Sequence, residues 1–99
     1  MSCYFVARLT VHDPSTYERY LAGTDALLAR WGATVLAVDE AVTLLEGDWP
    51  ATRTVIIEFP DEASATAWYS SPDYRAIARY RWSASEGDAV FVSGSRHGV

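Results

Sequence analysis

The sequence contains no lysine, a single cysteine and no long apolar run. All eight basic residues are arginines, set against thirteen acidic ones, for a formal net charge of −5. A surface of that sign repels a polyphosphate, which argues against nucleic-acid binding. Cys3 cannot form an internal disulfide and suits a reducing compartment. No basic stretch followed by an apolar run and a cleavage site opens the chain. No segment approaches the roughly 20 apolar residues of a membrane span. These absences lead to the expectation of a cytoplasmic protein with no membrane partner. Motifs for bound chemistry are missing too. The two histidines, His12 and His97, stand apart, and neither H-x-x-x-H nor C-x-x-C spacing occurs, so no metal and no cofactor are expected. Neither a glycine-rich phosphate loop nor a Ser-His-Asp constellation can be drawn.

What the chain has is apolar material: 49% of its 99 residues are hydrophobic and 13% aromatic. That length fits one domain, taken as residues 1–94, with 95–99 expected to fray as a flexible tail. A domain this small leans on an apolar core or on a partner.

Cys3 to Val11 is almost wholly apolar and reads as a strand. Asp13-Pro14 supplies an N-cap acceptor and a proline at the first helical position. Tyr17, Tyr20, Leu21, Thr24, Leu28 and Trp31 then recur at three- and four-residue steps, a helical stripe that Gly32 ends. Ala33–Val38 and Val42–Glu46 are β-like. One bent strand with a bulge is the preferred reading, because Asp39-Glu40-Ala41 lacks the residues of a tight hairpin. Arg53–Phe59 is the clearest strand, stopped by Pro60. Asp61 caps a short alanine-rich helix to about Tyr69, and Ser71-Pro72-Asp73 starts another to about Trp82. Asp88–Gly94 is the last strand.

The resulting order is β-α-β-β-α(α)-β, the split βαβ pattern of an α+β, ferredoxin-like antiparallel sheet. Phe5, Ala7, Leu9 and Val11 alternate with Tyr4 and Val6; Val55, Ile57 and Phe59 with Ile56; Phe91 with Val90 and Val92. Helices in this topology cover one sheet face, and the uncovered face should be polar. Here it is apolar as well, so the same face of a second copy is expected to cover it, making a two-fold homodimer.

The Asp13–Tyr20 segment, Leu45-Glu46-Gly47, the Phe59-Pro60 strand end, Trp68-Tyr69-x-Ser71-x-x-Tyr74 and Arg81 together resemble an uncharacterised bacterial family, domain of unknown function 1330. The resemblance runs from Tyr4 to Gly94. It implies a dimeric α+β barrel made by sheet-to-sheet packing of ferredoxin-like protomers. Wider relatives include cofactor-independent monooxygenases, muconolactone-type isomerases, haem-degrading enzymes and non-catalytic stress proteins. They commonly hold ligands between the sheet and helices of each protomer.

Arg81 is the first site candidate. With Tyr74, Ile77 and Ala78 it falls at i, i+3, i+4 and i+7, placing a guanidinium on the inward stripe of a helix. A buried cation needs a partner. That partner is either an anionic ligand or a carboxylate, with Glu46 and Glu58 as the protein's own candidates. Glu46, ending an apolar run before Gly47, is the candidate general base or else a rim carboxylate paired with Arg53 or Arg81. Trp49 in the following loop, with Trp68, Tyr69, Tyr74 and Tyr20, could wall a flat ligand or simply be packed. Three functions follow: an enzyme without bound cofactor acting on a hydrophobic or aromatic acid, a non-catalytic binding or stress-related homodimer, and haem binding through His12.

Overall fold

The computed structural model describes residues 1–96 and Gly98. Its elements are β1 (Cys3–Val11), α1 (Pro14–Arg30), β2 (Thr34–Asp39), β3 (Arg53–Phe59), α2 (Glu62–Ser70), α3 (Pro72–Ala84) and β4 (Ser85–Ser93). The four strands form one antiparallel sheet in the order β2-β3-β1-β4. All helices start from side-chain caps. Asp13 accepts from the Thr16 amide at 3.2 Å, Asp61 from Ser64 at 2.7 Å and Ser71 from Tyr74 at 3.1 Å. Each cap satisfies an amide that a helix start leaves without an internal partner. Gly32 follows α1 with φ +69°, a conformation glycine adopts without strain.

The alternation in β1 sorts the sheet into two faces. Phe5, Ala7 and Leu9 are buried under the helices together with Ile57, Phe59, Tyr17, Tyr20, Trp68, Tyr74 and Ala78. On the opposite face Val6 stands between Ile56 and Val90, and Tyr4 lies opposite Val92. Val90 is 55% and Val92 46% exposed. Around Val6 this face is apolar and uncovered in the single chain, while Glu58 and the Arg8–Asp88 ion pair lie on the same face.

Two boundaries differ from expectation. The second strand ends at Asp39 and does not bend on through Glu46. Asp39 pairs with Thr54, one residue from the start of β3, so the segment beyond it has no strand to join. The Asp39 carboxylate also accepts from the Ala41 amide at 2.8 Å, which turns the chain away. A bulge does occur, but earlier, between Val35 and Ala37. At the other edge β4 begins directly after α3, at Ser85 instead of Asp88. Ser95, Arg96 and Gly98 follow the last strand without regular structure; His97 and Val99 lie outside the described residues.

Candidate functional site

A cavity opens between the helix face of the sheet and α1, with an empty volume of ≈ 650 Å³ that includes its mouth. Phe5, Ala7, Leu9 and Ile57 form its floor, Tyr17, Tyr20 and Leu21 one wall, and Trp68 and Arg81 the inner end. Val35, Val38 and Arg53 border the open side.

Arg81 is the feature of this cavity that packing alone does not explain. The Tyr74–Ala78–Arg81 stripe faces inward, and Arg81 is only 6% exposed. Its Nε and Nη2 atoms are buried without a hydrogen-bond partner. Among the described residues it forms no ion pair. Its guanidinium carbon lies 5.9 Å from the ring centres of both Phe5 and Tyr20, in reach of cation–π attraction. Burial pulls its pKa down, but electrostatic attraction to Tyr74 and Tyr20 and a hydrogen-bonding contribution from Tyr74 outweigh that and hold it above the ordinary value. The cavity therefore contains a permanent cation with unused donors.

The phenols around it are neutral. The Tyr20 and Tyr74 hydroxyls meet at 2.9 Å. Burial, reinforced by Tyr74, pushes Tyr20 well above its usual value; burial also raises Tyr74, against the pull of Arg81. Tyr17 is raised by burial and drawn back by the guanidiniums of Arg53 and Arg81, with a hydrogen-bonding contribution from Arg53. Such a site can receive an anion at Arg81 and an apolar or aromatic body along Phe5, Leu9 and Trp68. Donors at the inner end would fix orientation.

Arg81, Tyr20 and Trp68 thus share the cavity. Tyr74 stands behind it, with its ring centre 4.1 Å from Trp68. Tyr69 packs on Tyr74 at 5.6 Å but opens onto a separate groove with Phe5, Ala89 and Phe91. Glu46 and Trp49 lie elsewhere. Both border a shallow depression with Val42 and Thr54 on the loop between β2 and β3, and Glu46 is exposed. The Trp49 indole donates to the Thr54 hydroxyl at 2.9 Å and lies under Arg8 at 5.0 Å. Glu58, in phase with Ile56, is on the outer face, so neither proposed carboxylate pairs with Arg81. His12 is exposed in the turn before α1, its amide bonded to the Ala84 carbonyl at 3.0 Å. Among the described residues no three His, Cys, Asp or Glu side chains cluster as metal ligands. No helix among them is long and apolar enough to cross a membrane.

Arg53 is the cavity residue that the sequence reading assigned only to pairing with Glu46. Its phase with Val55, Ile57 and Phe59 could have placed it on the inward face.

Among curated proteins none matches the chain. Solved structures match its fold. A protein of unknown function from Rhodopseudomonas palustris superposes with a TM-score of 0.81 at 15% identity, covering 96% of this chain and 83% of that one. SnoaB, a cofactor-independent oxygenase from Streptomyces nogalater, gives a TM-score of 0.65 at 22% identity, over 96% of this chain and 94% of its own. A dimeric protein of unknown function with a ferredoxin-like fold, from Bacteroides fragilis, gives 0.62 at 11% identity, over 94% and 96%. These likenesses show the α+β, ferredoxin-like fold. Residues 2–95 match the model of the family described as Domain of unknown function (DUF1330), and the chain belongs to that family.

Proposed function

We propose that the protein binds a small hydrophobic or aromatic acid in the cavity between sheet and helices, with Arg81 as its anion contact. The observation that carries this reading is the pair of buried, partnerless donors on Arg81. An unpaired buried guanidinium is costly to keep, and a ligand carboxylate would offset that cost. Tyr20 and Trp68 would flank the bound acid, with Tyr74 holding the Tyr20 hydroxyl in place.

Cofactor-independent oxygenation or isomerisation of the bound acid is the chemistry this reading favours. Its support is the fold shared with SnoaB, a cofactor-independent oxygenase, and an apolar chamber that would hold a flat substrate away from bulk water. A second reading, binding without turnover in a stress-related or carrier role, is favoured by one feature. Among the described residues the only carboxylate bordering the cavity is the exposed Asp25 at its mouth, so none of them offers a buried general base there. Glu46 could serve as proton acceptor only if its loop moved or a partner's loop supplied it.

The working unit in this proposal is a cytoplasmic homodimer packed through the outer sheet face. Val6, Ile56, Val90 and Val92 would meet their counterparts, and the loop residues Leu44 and Leu45, the latter 88% exposed, would gain cover. The dimeric relative from Bacteroides fragilis supports it, and the free Cys3 suits the cytoplasm.

The test is calorimetric titration with 2-naphthoate and its neutral analogue 2-naphthamide, on the wild type and on Arg81→Met. The acid should bind the wild type and lose at least about tenfold in affinity on Arg81→Met, with the amide indifferent to the change. Arg81→Met should keep the fold, since it replaces an unpaired buried charge by an apolar chain of similar length. Equal affinity for acid and amide would remove the anchor role.

A further inference from the structure

Arg53 opens β3 in phase with Val55, Ile57 and Phe59, so it reaches the same side of the sheet as the cavity. Its guanidinium carbon lies 5.3 Å from the ring centre of Tyr17. The side chain is only 17% exposed, and its Nε is buried without a hydrogen-bond partner. Its one ion pair among the described residues reaches Glu40 at 3.4 Å, and that carboxylate side chain is 74% exposed. A long contact to so exposed a partner holds little energy. Arg53 also borders an adjoining depression with Pro14, Glu18 and Glu40, so it stands where the cavity meets solvent.

The cavity thus holds two guanidiniums, Arg81 at the inner end and Arg53 at the open side. The Tyr17 phenol feels both of them. The carboxylates bordering these two spaces, Asp25, Glu18 and Glu40, are all exposed. Among the described residues neither cation therefore has a buried counter-charge. One ligand carboxylate at Arg81 would neutralise half of this, and the Nε of Arg53 would stay unmet. We infer that Arg53 is a second anion contact and that the ligand class is a hydrophobic or aromatic dicarboxylate. This inference rests on the acid-binding reading of the Arg81 cavity. Glu40 is then a placeholder, released from Arg53 when the second carboxylate arrives.

The experiment compares 2-naphthoate with naphthalene-2,3- and naphthalene-2,6-dicarboxylate, which offer close and wide carboxylate spacings. Affinities are read by calorimetry on the wild type, Arg53→Met and Glu40→Gln. At least one diacid should bind the wild type about tenfold or more tightly than the mono-acid. Arg53→Met should bring that ratio down to about one, since the second charge loses its contact. Glu40→Gln alters an exposed side chain and should raise the ratio by about threefold, because it removes a weak competitor for Arg53. The inference is overturned if neither diacid exceeds the mono-acid, or if the ratio is the same in all three proteins. In that case binding of 2-naphthoate through Arg81 still stands. If the wild type binds none of the three acids, the cavity reading falls and this one falls with it.

Discussion

The hydroxyls of Tyr20 on α1 and Tyr74 on α3 lie 2.9 Å apart beside the Arg81 guanidinium, and both side chains are buried. The bond joins the two helices at the inner end of the cavity. Removing either hydroxyl leaves the other buried without this partner. Tyr20→Phe and Tyr74→Phe should each cost about 1–2 kcal/mol, and the double variant clearly less than their sum. Urea unfolding of the four proteins checks this. Strictly additive losses would show that the two hydroxyls do not act as a pair.

The same phenols set a pH limit. Tyr17, Tyr20 and Tyr74 are all held above the ordinary value of 10.0, with burial the largest cause in each. On raising the pH, the unfolded chain loses these protons first, and the folded state binds more protons than the unfolded one. Stability is therefore fully present below the ordinary value and is lost as pH rises through the folded values. The urea midpoint should hold level to about pH 9 and fall above about pH 10, and fall less steeply in the Tyr20→Phe–Tyr74→Phe double variant. An unchanged slope in that variant would assign the loss to other groups.

The elements that could be read from the sequence are those with local causes. Asp13, Asp61 and Ser71 announced their helices because a cap is a bond between near neighbours. The faces of β1 and β3 followed from strict alternation. The segment Val42–Glu46 misled because its β-prone residues say nothing of whether a neighbouring strand is in reach. β3 starts at Arg53, so none is. The inward position of Arg81 followed from helical spacing, but its lack of a carboxylate partner did not. Glu58 could have been set aside by its phase with Ile56; the place of Glu46 depends on a loop path that no periodicity encodes. The inward phase of Arg53 with Val55, Ile57 and Phe59 is legible in the sequence, but the cavity it faces depends on how the helices pack and is not.

At the start of β4 the backbone passes very close to β1. Gly87, with φ +156°, pairs opposite Leu9, and a Cβ there would stand 2.0 Å from the Arg8 carbonyl oxygen. That atom is backbone within a paired strand and cannot swing aside. Gly87→Ala should therefore destabilise by roughly 3 kcal/mol, by displacing the start of β4 or breaking its pairing. Thermal unfolding gives the size, and amide exchange at Thr10 and Val11 the location. A loss under about 0.5 kcal/mol would mean that the strand shifts freely.

Val6 is the central residue of the outer face, between Ile56 on β3 and Val90 on β4. If that face is the dimer contact, a carboxylate there must be buried beside its own symmetry mate or the contact must open. Two desolvated like charges cost far more than the surrounding valines and isoleucine gain, so the contact opens. Sedimentation of the wild type should give twice the 10.9 kDa protomer mass. Val6→Glu should sediment as a monomer with the helical signal retained, because the residue points away from the helices and the core beneath them is untouched. Val6→Thr, similar in shape but uncharged, should remain a dimer of lower affinity. A monomeric wild type would leave the apolar outer face unexplained and would withdraw the homodimer from the proposal. A dimeric Val6→Glu would keep the dimer but move its contact to another surface, such as the exposed edge of β4 at Phe91.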